Sequence, residues 1–88
     1  MADEETLLEF PCQYAVKAVG VSAPDFAELV HQLIAHHVDD LPADSVSVKP
    51  SSKGKYTSVT VSFVAHSKAQ LDAIYYSLKE HERVVMAL

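Results

Sequence analysis

The apolar residues of this chain change period as one reads along it, from two to between three and four and back to two, and the cycle runs twice. Cys12, Tyr14, Val16 and Ala18 alternate with Gln13, Ala15, Lys17 and Val19, which is the pattern of a half-buried strand ended by Gly20. Phe26, Leu29, Val30, Leu33, Ile34 and His37 then fall at steps of three and four, one apolar stripe on a helix. Ser22 is placed to cap that helix, with Pro24 and Asp25 in its first turn, and Asp39, Asp40 and Pro42 end it. Alternation returns over 45–49 and again from Tyr56 to Ala65. Ser67 and Gln70 form a capping box ahead of a second stripe of Leu71, Ile74, Tyr75 and Leu78. The segment 83–88 predicts a last strand with Val84, Met86 and Leu88 inward.

The order is β-α-β-β-α-β. Two right-handed crossovers that share one sheet give the split βαβ arrangement. The fold class is therefore α+β: a ferredoxin-like βαββαβ sandwich, a four-stranded antiparallel sheet with two helices on one face. The chain has 88 residues, enough for one core. Residues 10–88 are read as that single domain and 1–9 as a flexible acidic lead-in, with a short helical turn at Thr6-Leu7-Leu8-Glu9.

The uncovered sheet face should carry Ala15, Lys17, Val19, Ser47, Lys49, Ser58, Thr60, Ser62, Arg83, Val85 and Ala87. RNA-reading modules of this strand order place stacking aromatics at the centre of that face, where this chain has Ala, Lys, Ser and Thr. The formal charge of −5 also argues against a phosphate backbone as partner. No apolar run reaches the ~20 residues of a membrane helix, and Met1-Ala2-Asp3-Glu4-Glu5 is acidic where a signal peptide is basic. A lone cysteine, Cys12, fits a reducing compartment. The expectation is a cytoplasmic protein that binds neither nucleic acid nor membrane.

No residues assemble a catalytic or metal-binding pattern. His36 and His37 are adjacent and point about 100° apart on a helix, so they do not chelate as a pair four apart would. His31, His66 and His81 are scattered. Cys12 falls on the core face, as a small hydrophobe does. The expectation is a non-enzyme without cofactor or metal.

Two loops remain. Lys49-Pro50-Ser51-Ser52-Lys53-Gly54-Lys55 holds three of the chain's seven Lys and Arg, and Tyr56 follows. Lys49, Ser51, Ser52, Lys53, Lys55 and Tyr56 form either a solvated hairpin or a contact for an anion or a partner. The spacing is not that of a phosphate-binding P-loop. The turn Gly20 to Asp25 delivers a helix N-terminus, so Gly20, Ser22 and Asp25 are a second candidate ligand site, with simple capping by Ser22 as the alternative.

Leu7-Leu8-Glu9-Phe10-Pro11, the stretch from Val48 to Tyr56 followed by Ser58-Val59, and the closing Val84-Val85-Met86-Ala87-Leu88 resemble the YbeD-like family of small bacterial proteins of unknown function. The resemblance covers nearly the whole chain, and the loop is its most specific part. It implies a ferredoxin-like fold similar to the ACT-type regulatory domains. It supplies no catalytic residues. The ACT analogy would place a small ligand near Gly20 to Asp25 at a dimer interface. The function expected is a regulatory or adaptor domain acting through an unknown protein partner or as a homodimer. The alternative is an ACT-like sensor of an amino acid or small anion.

Overall fold

The computed structural model describes residues 9–88. Strand β1 spans Cys12–Val21, helix α1 Phe26–Ala35, β2 Val46–Pro50, β3 Tyr56–Ala65, helix α2 Lys68–Glu80 and β4 Val84–Ala87. A single 3-10 turn, Ala43–Ser45, leads into β2. The strands form one antiparallel sheet in the order β2-β3-β1-β4. This is the ferredoxin-like arrangement expected from the periodicity. The helical turn and most of the lead-in assigned to residues 1–9 lie outside the described residues.

The core lies between the sheet and the two helices. Val16 and Ala18 of β1 pair with Val61 and Val59 of β3, and all four are fully buried. Phe26, Val30 and Ile34 of α1 and Leu71, Ile74 and Leu78 of α2 cover them. Each large side chain so enclosed contributes on the order of 2 kcal/mol. Among the described residues no buried side-chain polar atom lacks a partner.

The helix starts differ. Ser67 caps α2 as its sequence predicts, its Oγ accepting from the Gln70 N–H at 3.1 Å. The Gln70 side chain accepts from the His66 N–H at 2.7 Å instead of closing back on Ser67. Ser22 does not cap α1. The cap residue is Asp25, which makes no side-chain cap bond. Ser22 Oγ lies 2.7 Å from Thr57 Oγ1, so β3 takes the hydroxyl that the helix would have used.

Strand β4 departs from plain alternation. Gly20 faces Val84 and Val19 faces Met86, so Val85 is one extra residue and the register shifts there. Such a bulge reverses the side-chain phase beyond it. Val84 and Ala87 therefore pack against the core, while Met86 and Leu88 lie on the uncovered face. The inward placing of Met86 and Leu88 is thereby corrected, as is the placing of Ala87 on the open face. Arg83 does not join that face either: its guanidinium turns to Asp25 at the start of α1.

Candidate functional site

The hairpin between β2 and β3 closes on itself. The Ser51 N–H donates to the Tyr56 carbonyl at 2.8 Å, and the Tyr56 N–H donates to Ser51 Oγ at 3.2 Å. The Gly54 N–H donates to the Ser51 carbonyl at 2.9 Å with φ of 74°, a conformation that favours glycine. Ser51 thus serves the turn with its hydroxyl, N–H and carbonyl together.

The register places Lys49 beside Ser58, and Ser58 beside Val19, across the open face. The Ser58 hydroxyl donates to the Lys49 carbonyl at 3.1 Å. A shallow depression of about 310 Å³ opens here, bordered by Lys17, Lys49, Ser51, Ser52, Tyr56 and Ser58. Of the six loop residues singled out from the sequence, Lys49, Ser51, Ser52 and Tyr56 border this depression. Lys53 and Lys55 do not line the depression; they stay exposed on the hairpin, with Lys55 Nζ 5.5 Å from the centroid of the Tyr56 ring. Lys17 and Ser58 were not among the site residues read from the sequence. The signal for them was strand alternation, which puts both on the same face as Lys49.

The turn after β1 meets this hairpin. The Ser22 N–H donates to the Lys55 carbonyl at 2.9 Å, and the Ser22–Thr57 hydroxyl contact sits beside it. The two loops singled out from the sequence are therefore neighbours in space. Gly20 is buried, and the Phe26 ring packs where a side chain would be. Asp25 holds the Arg83 guanidinium in a two-pronged contact at 2.8 and 3.1 Å, and the Arg83 guanidinium lies 5.9 Å from the Phe26 ring centroid. Hydrogen bonding to Arg83 holds the Asp25 carboxyl below the ordinary carboxylate range, and raises the Arg83 pKa in turn. The turn thus commits Gly20 to packing, Ser22 to the hairpin and Asp25 to an ion pair.

The charge on the open face is one-sided. Gln13, Ala15, Lys17, Val19 and Val21 of β1 share it with Tyr56, Ser58, Thr60, Ser62 and Val64 of β3, Ser47 and Lys49 of β2, and Met86 and Leu88 at the β4 edge. Among the described residues it carries no acidic side chain. With Lys53 and Lys55 on the adjoining hairpin, four of the chain's seven Lys and Arg gather here, although the chain's formal charge is −5.

The histidines stay apart. His37 Nε2 lies 2.8 Å from Ser77 Oγ, tying α1 to α2, and His31 Nε2 lies 3.2 Å from the Pro42 carbonyl. Among the described residues no three His, Cys, Asp or Glu side chains are placed to hold a metal ion. Cys12 is half-buried against the core. Burial and the Tyr14 hydroxyl, 3.5 Å from its own, push the Tyr75 phenol above its ordinary pKa. No helix among the described residues is long and apolar enough to cross a membrane.

Comparison with known proteins agrees with this architecture. A UPF0250 protein of Paraburkholderia phytofirmans is 40% identical over 84 residues, 96% of this chain and 94% of that protein. A UPF0250 protein of Neisseria gonorrhoeae is 37% identical over 86 residues, 98% and 94% of the two chains. The solution structure of protein HP0495 from H. pylori superposes with a TM-score of 0.69, covering 92% of this chain and 85% of that one at 15% identity, a likeness of fold. The family model described as "Protein of unknown function (DUF493)" matches residues 5–88, and the chain belongs to that family of proteins of unknown function.

Proposed function

We propose that the domain is a non-enzymatic adaptor or regulatory module that docks an acidic protein surface on its uncovered sheet face and the adjoining 49–56 hairpin. One observation carries the reading: the face lacks acidic side chains among the described residues and gathers four cations in a chain of negative charge. Charge of one sign on an otherwise opposite molecule selects partners and speeds their encounter. Lys17 and Lys49 supply the charge within the sheet, and Ser51, Ser52, Ser58 and Tyr56 supply hydroxyls around it. Two copies meeting through this face would oppose lysine to lysine, so the fitting partner is a different molecule. The test compares proteins captured by the wild type with those captured by Lys17→Glu/Lys49→Glu. Loss of specific acidic partners on reversal, with an unchanged melting temperature, is the expected outcome; an identical set of captured proteins refutes the reading.

A second reading, a sensor of an amino acid or small anion, draws on the joining of the turn at Ser22 to the hairpin at Lys55. A molecule seated there would touch both loops. Thermal-shift measurements against amino acids and small carboxylates test it, since a ligand at 100 times its Kd adds about 2.7 kcal/mol. A flat response across the panel counts against it.

A further inference from the structure

We infer that the open face is built for an amphipathic α-helix of the partner, with the helix's apolar stripe on Val19, Val21 and Met86 and its acidic flank toward Lys49 and the hairpin. The inference rests on the docking reading and deepens it, from an acidic surface to a helix with two unlike sides.

Charge is half of what this face offers. Of the eight large apolar side chains exposed among the described residues, five lie on it: Val21, Tyr56, Val64, Met86 and Leu88. Val21 is 57% and Met86 50% exposed, and the half-buried Val19 adjoins both. The register grades the face from one side to the other. From β2 to β4, one row reads Lys49, Ser58, Val19, Met86: a cation, a hydroxyl and two apolar side chains. The next row toward the hairpin sets Tyr56 beside Val21, with Lys53 and Lys55 beyond it in the hairpin. Val19 and Tyr56 also border the same depression as Lys49. Apolar and cationic groups therefore adjoin, and the boundary between them runs along the strands. A partner acidic throughout would bury carboxylates against Val19 and Met86, and one apolar throughout would leave the lysines without counter-charge. An occupant with one apolar and one acidic side satisfies both halves.

Backbone geometry selects a helix for that occupant. Strands β1 and β3 are interior, so their N–H and C=O groups are paired on both sides and the face offers none to an extended peptide. A strand docks on a sheet edge, whereas a segment lying on a face must satisfy its own backbone, as a helix does. The dimensions agree. Four strands make a face about 14 Å across, and a helix with its side chains is about 10–12 Å wide. An apolar stripe at i, i+3, i+4 and i+7 covers the β1–β4 side, and Asp or Glu on the adjoining flank reach Lys49, Lys53 and Lys55. The chain's own helices bury their apolar stripes in the core, so a second copy does not supply this helix.

Peptides of about 16 residues, some four turns of helix, selected from a random library on the immobilised full chain test the inference. Enriched sequences are expected to carry apolar residues at i, i+3, i+4 and i+7 with Asp and Glu on one flank, and to gain helical circular dichroism on binding. Val21→Thr/Met86→Gln keeps side-chain size at two exposed positions and should leave the melting temperature unchanged. It is expected to weaken the enriched peptide about tenfold at every salt concentration. Lys49→Glu/Lys53→Glu is expected to weaken it most at low salt. Acidic peptides that lack the apolar period, bind without gaining helix, or bind Val21→Thr/Met86→Gln as tightly as the wild type overturn the helix and leave the acidic docking reading standing. No enrichment overturns the helix as well, and enriched peptides without acidic residues overturn both.

Discussion

At position 20, an added methyl group would overlap the Phe26 ring and come within 2.5 Å of the Arg83 carbonyl oxygen. Both neighbours are held, Phe26 by the core and Arg83 by the backbone leading into β4. Gly20→Ala is therefore expected to cost about 2 kcal/mol, in the range of overpacked cores. Chemical denaturation would register this as a lower midpoint at an unchanged slope. In the sequence Gly20 reads as the end of an alternating run, but β1 runs on through it to Val21, and the reason for a glycine there was not visible. That reason is the approach of α1 and β4 from distant parts of the chain. The same holds for Ser22, whose position ahead of Pro24 and Asp25 reads as a cap. Its hydroxyl instead bonds Thr57, 35 positions away, a partner that local spacing cannot name.

Helix α2 carries its own start signal, and its cap is a local prediction that holds. Ser67→Ala removes the oxygen that accepts from the Gln70 N–H and is expected to cost about 1 kcal/mol. In a domain of this size that lowers the melting temperature by roughly 4–8 °C. Ser67→Asp, which restores an acceptor, should recover most of the loss. Thermal melts of the two variants check both statements. The strands were legible from alternation wherever the pairing is regular: β1 and β3 hold register over ten residue pairs, from Cys12–Ala65 to Val21–Tyr56. Strand β4 was legible as a strand but not in phase. The bulge at Val85 is imposed by pairing with β1, and a short apolar run shows equal hydrophobicity on both sides of it.

Across the whole molecule, fold and site were legible to different degrees, for a physical reason. The layers follow from period, which every residue of an element reports. The site depends on which strand lies beside which: Lys17 joins Lys49 because β3 passes between β1 and β2, and the hairpin meets the β1–α1 turn because both leave the same end of the sheet. Spacing along the chain encodes neither contact. Partition of charge was equally hidden in a single net value of −5. Asp25 and Glu28 lie at the start of α1, Asp72 and Glu80 on α2, and Asp39, Asp40 and Asp44 in the connection after α1. With Lys17, Lys49, Lys53 and Lys55 at the open face and its hairpin, and only Lys68, Lys79 and Arg83 on the helix side to offset these carboxylates, the domain is an oriented electric dipole. A neighbour within the ~8 Å screening distance of physiological salt would turn the molecule before touching it. The docking proposed above would then begin as rotation, the bare sheet turning to an acidic neighbour and the helices to a basic one.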